Sequence, residues 1–335
     1  MATKTWRALV AALLILGTTG ARGEVSELRI PLGAGGFGFL PLLLMQNHNL
    51  IEKYAAESGV NVTVSWTKLG GASVMNDILL SGEGHIISAG PPAFITLWDR
   101  TQGNLNVKGI AAISTLPVRI TARVSELKSL DSISNDQKIG VAGIKVSIAS
   151  TLMQMYALKK YGKEQIYRFD AYTVNSTHPD AVISLLSGSN NIVAHGSSVP
   201  FDYRELKDPN IKTILSSYDI VGGPATFTMM STSTKFYNAN PKIMAAVVKA
   251  LTRAQEMIGE DKQAAAKILL SDMGGKGWSI DDLVQILNDP TTIYTAKPEN
   301  VLAYADFMYQ VGSIKHKPKS IDELFFPSSA IAGGN

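Results

Sequence analysis

The sequence predicts an α/β protein with two similar lobes, each a mostly parallel sheet flanked by helices, and two hinge crossings between them. The main observation is an internal repeat, because the segment LLSG at 79–82 returns at 185–188 and is followed by isoleucine and glycine at the same spacing. Matching segments precede both copies in the same order, at 44–54 and 152–161. Short apolar strands alternate with helix-length segments, which is typical of parallel sheets with crossover helices.

The first residues have the pattern of a secretory signal. Lys4 and Arg7 form a basic start, and the apolar run that follows them is too short to span a bilayer. Ala21 and Gly23 are the small residues that a signal peptidase requires before its cleavage site. We therefore predict a signal peptide at 1–23, with an uncleaved anchor as the alternative.

The charge and the cysteine content narrow the function. The chain has 31 basic and 28 acidic residues, and three of the basic ones lie in 1–23, so the remainder balances at 28 of each. A balanced chain lacks the electrostatic footprint of a nucleic-acid-binding protein. Cysteine is absent, so neither disulfides nor a lipid on an N-terminal cysteine is expected. These features predict a monomeric protein that is soluble in the periplasm and is not a lipoprotein.

The order of the predicted elements places two crossings between the lobes. The first unit ends with a strand at 107–114, and another strand-like segment follows at once, so the first crossing is expected at 114–118. The second unit spans 138–216, and the Gly-Gly-Pro sequence at 222–224 predicts the return crossing. The predicted first lobe therefore comprises 24–116 and 223–335, and the predicted second lobe comprises 117–222.

A glycine-rich turn follows the first predicted strand. The glycines at 33–38 have the spacing of the dinucleotide-binding fingerprint, but the second strand ends at Lys68 without the acidic residue that would bind a ribose. We therefore expect no nucleotide and no other cofactor. Gly36, Phe37 and Gly38 are instead predicted to bring backbone close to a bound solute, with a plain turn as the alternative.

The equivalent turn in the second unit contains Lys145, Val146 and Ser147, just before a helix predicted to start at Ile148. These residues are candidates for solute binding. Ser147 is equally suited to cap the helix, and Lys145 to be an ordinary exposed lysine. A lysine that faced the cleft would favour an anionic solute.

Further candidates lie at the ends of other predicted strands, because ligands bind beyond the carboxyl ends of parallel strands. They are Gly70, Gly90, Pro91 and Ser114 in the first unit, and His195, Gly196 and Ser197 in the second. His195 is the most distinctive polar residue among them, and a structural histidine is the alternative.

The sequence predicts no catalytic or metal site. The five histidines lack metal-ligand spacing, and the chain has neither a Gly-x-Ser-x-Gly elbow nor a cysteine nucleophile. The protein is therefore expected not to be an enzyme.

Four segments in order carry a family resemblance. They are ILLSGEGHIISAG at 78–90, KIGVAGIKVS at 138–147, the NP…AL…A pattern at 240–254, and the DFM…GSIK…KP…LF pattern at 306–325. The chain resembles, over about 25–326, the periplasmic solute-binding proteins of ABC importers of the nitrate, sulfonate and taurine type, which are related to pyrimidine-precursor binding proteins.

The resemblance implies a type II periplasmic binding protein fold that closes on a small anionic organic solute, sulfonate-like or related, and delivers it to an ABC permease in the inner membrane. His85 and Asn191 stand where the family usually has aspartate, and HGSS stands at 195–198. Taurine or nitrate specificity therefore does not carry over. Two alternatives remain: an enzyme of the pyrimidine-precursor synthase type, whose known form needs cysteines, and a periplasmic sensor subunit.

Overall fold

Strands and helices alternate along most of the chain. The computed structural model describes residues 23–33, 36–69, 72–145, 147–188, 190–275 and 277–335, and most of the predicted signal peptide lies outside these ranges. The strands are β1 (Glu27–Leu32), β2 (Thr63–Lys68), β3 (Ile87–Ala89), β4 (Val107–Thr115), β5 (Arg119–Arg123), β6 (Lys138–Val141), β7 (Thr173–Asn175), β8 (Ile192–Ser197), β9 (Ile211–Ser216) and β10 (Thr226–Ser233).

Helices connect these strands and form the C-terminal part of the chain. They are α1 (Leu40–Asn47), α2 (Leu50–Glu57), α3 (Ala72–Ser81), α4 (Pro91–Arg100), α5 (Ile148–Tyr161), α6 (His178–Ser187), α7 (Phe201–Glu205), α8 (Ser217–Val221), α9 (Thr234–Ala239), α10 (Pro241–Glu260), α11 (Lys262–Asp272), α12 (Ile280–Leu287), α13 (Val301–Gln310) and α14 (Ile321–Leu324). Within the described ranges, none of them is both long enough and apolar enough to cross a membrane.

The two lobes have the same strand order. The sheet of the second lobe runs β7-β6-β8-β5-β9, and β5 is antiparallel to both of its neighbours. In the first lobe β1 pairs with β2, and β10 pairs antiparallel with β3 and β4. A hydrogen bond of 2.9 Å from the His85 N–H to the Arg29 carbonyl links β1 to the start of β3. The resulting order, β2-β1-β3-β10-β4, matches the second sheet position by position.

Each of the two repeated LLSG segments ends a helix, one in each lobe. Ser81 ends α3 and Ser187 ends α6, and each is followed by a glycine in the left-handed region. The φ angles are 78° at Gly82 and 60° at Gly188. Glycine adopts this conformation without a steric penalty, so the repeat marks two equivalent helix ends.

Each lobe has its own apolar core. The core of the first lobe draws on residues between 28 and 116 and between 225 and 331, whereas that of the second draws on residues between 118 and 215. The chain therefore passes from one lobe to the other between β4 and β5 and returns just before β10. Ile148 and Phe227 are partly buried against both cores, so they mark the place where the lobes meet.

The residues just after the predicted cleavage site contact the first lobe. The Glu24 carboxylate accepts hydrogen bonds from the Lys242 and Ile243 N–H groups, at 2.8 and 2.7 Å, at the start of α10. Val25 N–H bonds to the Asn240 side chain at 2.9 Å. Glu24 thereby satisfies two N–H groups that have no acceptor within the helix, and its charge matches the positive end of the helix dipole.

Candidate ligand-binding site

A cavity of about 190 Å³ lies between the lobes, at the carboxyl ends of β1, β3, β6 and β8. The first lobe lines it with Gly33, Phe39, Met75, Ser88, Ala89, Gly90, Pro92, Ala93, Phe227 and Thr228. The second lobe lines it with Val118, Ala142, Ser147, Ile148, Ala149, His178, Gly196, Ser197 and Ser198. Open parallel sheets bind their ligands at this end of the strands, so the position suits a solute site.

The cavity wall is mainly apolar. Phe39, Met75 and Phe227 contribute the largest apolar side chains of the first lobe, and Ile148 faces them from the second. Among the residues that line it in the described ranges, none is lysine, arginine, aspartate or glutamate. A ligand therefore meets apolar surface and neutral polar groups, as small-molecule pockets commonly provide.

The start of α5 supplies hydrogen-bond donors. Ser147 caps the helix, because its hydroxyl accepts from the Ser150 N–H at 3.2 Å. Ile148 and Ala149 occupy the first two helical positions, whose N–H groups have no acceptor within a helix. Both residues line the cavity, so their N–H groups and the positive end of the helix dipole favour an acceptor or an anion.

The start of α4 offers fewer donors. Pro91 and Pro92 occupy its first two positions and have no N–H group. The Phe94 N–H already bonds to the Gly90 carbonyl at 3.1 Å, which leaves Ala93 as the donor of the first turn. The second lobe therefore carries more of the hydrogen-bonding capacity of the site.

Two buried hydroxyls add to this capacity from opposite lobes. Ser88 is 2% exposed and Ser197 is fully buried, and both line the cavity. Neither Oγ atom has a hydrogen-bond partner among the described residues. A buried hydroxyl without a partner is unfavourable, so each is a natural contact for a ligand.

Among the described residues that line the cavity, His178 is the one with an ionisable side chain. Its Nδ1 lies 2.8 Å from Nε2 of His195, and its ring stacks on Phe201 with 5.0 Å between centroids. Burial, and then the neighbouring His195, lowers the pKa of His178 to about 4, so the ring is neutral at neutral pH. No group of three metal-binding side chains is found in the part of the chain that the structure describes.

Four of the residues predicted from the sequence meet at this cavity: Gly90, Ser147, Gly196 and Ser197. Gly196 also has a packing role, because a β carbon there would lie 2.5 Å from the β carbon of Ala149. Glycine at this position lets the start of α5 approach β8 closely.

The glycine turn of the first lobe supports the cavity from behind. Phe37 is 1% exposed and belongs to the core of the first lobe. The Gly38 carbonyl accepts from the hydroxyls of Ser114, at 2.9 Å, and Thr228, at 2.6 Å. Gly36 donates its N–H to Asp272 at 2.9 Å. Gly38 and Ser114 thus hold Thr228 in the cavity wall without lining the cavity themselves, whereas Gly33, at the start of the turn, does line it.

The remaining predicted residues lie away from the cavity surface. Pro91 is buried at the first position of α4, and Lys145 is an exposed residue with a φ angle of 66°. His195 is fully buried and contacts the cavity only through His178. Gly70 and Val146 lie outside the described residues.

Sequence reasoning missed His178 and Ser88. Helix α6 starts at His178, and the Thr177 hydroxyl accepts a hydrogen bond from the Asp180 N–H at 3.3 Å. Thr177 and Asp180 have the spacing of a capping box, and Pro179 suits the first turn of a helix. The sequence therefore contained enough information to predict that α6 starts at His178. Ser88 lies inside a buried strand, where no local pattern marks a ligand contact.

Solved structures resemble most of the chain. The periplasmic aliphatic sulphonate binding protein SsuA from Escherichia coli aligns over 93% of this chain and 96% of its own, at 17% identity and a TM-score of 0.64. The alkanesulfonate-binding protein SsuA from Xanthomonas axonopodis pv. citri, bound to MOPS, aligns over 90% of this chain and 98% of its own, at 15% identity and a TM-score of 0.64. The periplasmic nitrate-binding protein NrtA from Synechocystis PCC 6803 aligns over 92% of this chain and 93% of its own, at 14% identity and a TM-score of 0.61.

This chain has the periplasmic binding protein fold. The predicted α/β architecture of two lobes is thereby confirmed, and the similar structures include the sulfonate and nitrate binders that the sequence resemblance indicated. No protein-family model matches the sequence, and no curated protein matches it either. At these sequence identities the similarity establishes the fold alone, so the evidence for the function has to come from the cavity.

Proposed function

We propose that this protein is the extracytoplasmic solute-binding subunit of an ABC importer, which captures a small organic solute between its lobes and delivers it to a membrane permease. The observation that carries the proposal is the cavity, which both lobes line at the carboxyl ends of their strands. The similar structures support it, because they include sulfonate- and nitrate-binding proteins of the periplasm.

The mechanism is closure of two lobes around the solute. The chain crosses between the lobes twice, and these two segments form the hinge. A solute that contacts Ser88 in one lobe and Ser197 in the other stabilises the closed form over the open form. The permease then recognises the closed form. No covalent step is involved, so the protein acts as a carrier and not as an enzyme.

The cavity favours a solute with an apolar body and a polar head. The body packs against Phe39 and Phe227, and the head meets the N–H groups of Ile148 and Ala149. An anionic head, such as a sulfonate or a carboxylate, suits the start of α5. It is bound by neutral donors, because the lining residues in the described ranges include no lysine or arginine and His178 is neutral.

The predicted signal peptide and the absence of cysteine support a place in the periplasm without a lipid anchor. We propose that the mature protein acts there as a soluble monomer. Its partners are then the solute and the inner-membrane permease. Loss of solute uptake on deletion of the gene, restored by the intact protein, tests delivery to that permease.

Thermal unfolding against sulfonates, carboxylates and nitrate tests solute binding. A solute at a hundred times its dissociation constant adds about 2.7 kcal/mol of stability. Ala93→Trp places a large ring in the cavity and is expected to abolish the shift, whereas Ala56→Trp, on the exposed face of α2, is expected to retain it. Mass spectrometry first verifies that the protein carries no co-purified ligand. If none of these compounds then shifts the transition, the proposed solute class is wrong.

A further inference from the structure

A buried chain of three ionisable side chains ends at the cavity. Glu205 and His195 are both fully buried, and the Glu205 Oε1 atom hydrogen-bonds to Nδ1 of His195. Nε2 of His195 then lies 2.8 Å from Nδ1 of His178. The other Glu205 oxygen, Oε2, lies 2.7 Å from the Thr121 hydroxyl. His178 is the member that lines the cavity.

The carboxylate sets the direction of the hydrogen bonds. A carboxylate has only acceptor atoms, whereas a neutral imidazole has one protonated nitrogen, which donates, and one unprotonated nitrogen, which accepts. His195 therefore donates from Nδ1 to Glu205, which leaves its Nε2 as an acceptor. His178 must donate from Nδ1 to that acceptor. Its own Nε2, on the opposite edge of the ring, is left without a proton.

We propose that the Glu205–His195–His178 chain fixes Nε2 of His178 as a hydrogen-bond acceptor in the cavity, so that the solute carries a hydroxyl or N–H donor at this point. The solute assignment rests on the proposed function, whereas the proton arrangement does not. Glu205 and His195 are positioning residues, because they act on the solute through His178. A solute without a donor leaves this acceptor unpaired, which is unfavourable in a closed cavity.

A purely structural role does not require His178. Burial of His195 against Glu205 needs a partner for Nε2 of His195, and a donor that stayed within the core would satisfy it. The chain instead extends to a ring that stacks on Phe201 and lines the cavity. Within the described residues, Nε2 of His178 has no hydrogen-bond partner in the protein. The arrangement thus presents one defined nitrogen to a ligand.

Nitrogen-15 NMR of histidine-labelled protein tests the proton arrangement without any solute. The spectra distinguish protonated from unprotonated ring nitrogens, and the signals missing from His178→Gln assign this residue among the five histidines. At neutral pH we expect a proton on Nδ1 of His178 and none on Nε2. A proton on Nε2 in the solute-free protein would overturn the proposal, whatever the protein transports.

Matched solutes test the consequence. We expect 2-hydroxyethanesulfonate to bind about tenfold more tightly than ethanesulfonate, or 3-hydroxypropanoate than propanoate, as one added hydrogen bond permits. His178→Phe keeps a ring against Phe201 and is expected to remove the preference. Equal affinity of the wild-type protein within a pair that binds would contradict the proposal. If no member of either pair binds, the head group of the proposed function is wrong, and the NMR result alone decides the proton arrangement.

Discussion

The backbone of Gly90 in the first lobe lies directly against the side chain of Ile148 in the second. A β carbon at Gly90 would come 3.0 Å from Ile148 Cδ1 and 3.2 Å from the Phe227 carbonyl oxygen. The φ and ψ angles of Gly90, −75° and 163°, are open to any residue, so this glycine serves close approach and not an unusual backbone. The start of one lobe's helix thus faces the start of the other's across the cavity.

This approach predicts that Gly90→Ala hinders closure. We expect the solute affinity to fall by about three- to tenfold, while unfolding without solute changes by less than about 1 kcal/mol, because separation of the lobes relieves the contact with Ile148. Calorimetric titration and urea unfolding measure the two quantities. Gly259→Ala is the control, since a β carbon there has no atom within 4 Å. Unchanged affinity in Gly90→Ala would mean that the lobes do not approach further on binding.

The two unpartnered hydroxyls of the cavity predict opposite effects on stability and binding. Ser88→Ala and Ser197→Ala each remove a buried polar atom without a partner, so the solute-free protein should be as stable as the wild type or more stable. Solute affinity should fall by about three- to tenfold for a hydroxyl that bonds the solute. Thermal unfolding with and without solute compares the two states.

Thr228→Val is the matched control for the hydroxyl variants. Thr228 also lines the cavity, but its hydroxyl donates to the Gly38 carbonyl at 2.6 Å and lies 2.8 Å from the Ser114 hydroxyl. Its loss should therefore destabilise the solute-free protein by about 1 kcal/mol. Equal destabilisation by all three substitutions would show that the serines are already satisfied in the free protein.

The lowered pKa of His178 predicts a loss of stability in mild acid. The unfolded chain takes up a proton near pH 6.5, whereas the folded chain resists protonation until about pH 4. The unfolded state therefore binds more protons between these values, and stability falls as the pH falls, by about 2 kcal/mol from pH 7 to pH 5. Urea unfolding at both pH values measures the fall. The fall should become smaller in His178→Phe, and an identical pH dependence in the two proteins would exclude this origin.

The hydrogen bonds from the start of α10 to Glu24 predict that this side chain stabilises the folded protein. Glu24→Ala removes the acceptor of two N–H groups, and we expect the protein to lose about 1 kcal/mol of stability. Glu27→Ala is a suitable comparison, because Glu27 is an exposed residue whose ion pair with Arg29 is 3.8 Å long. Thermal unfolding of the two variants should differ, and equal midpoints would show that the Glu24 carboxylate does not stabilise α10.

The equivalent loops of the two lobes show which cavity residues the sequence could predict. The equivalence of Gly90 with Gly196, and the choice of Ser147, follow from the repeat, and the structure brings all three to one cavity. Lys145 could not be judged in the same way. Its position next to Ser147 suggests a cleft residue, but a left-handed backbone at 66° leaves the side chain exposed. The backbone conformation of one residue sets the direction of its side chain, and no sequence pattern around Lys145 predicts that conformation.

The sequence by itself determined the two-lobed repeat and most of the strands and helices, because most of these depend on residues that lie close together in the chain. Only the tertiary structure decided which histidine lines the cavity. His195 has the more suggestive position at the end of a strand, yet packing of α6 against β8 and α7 places His178 over it and Glu205 behind it. These contacts join side chains from three separate elements, 17 and 10 positions apart, and the direction of their hydrogen bonds is set only once all three pack together.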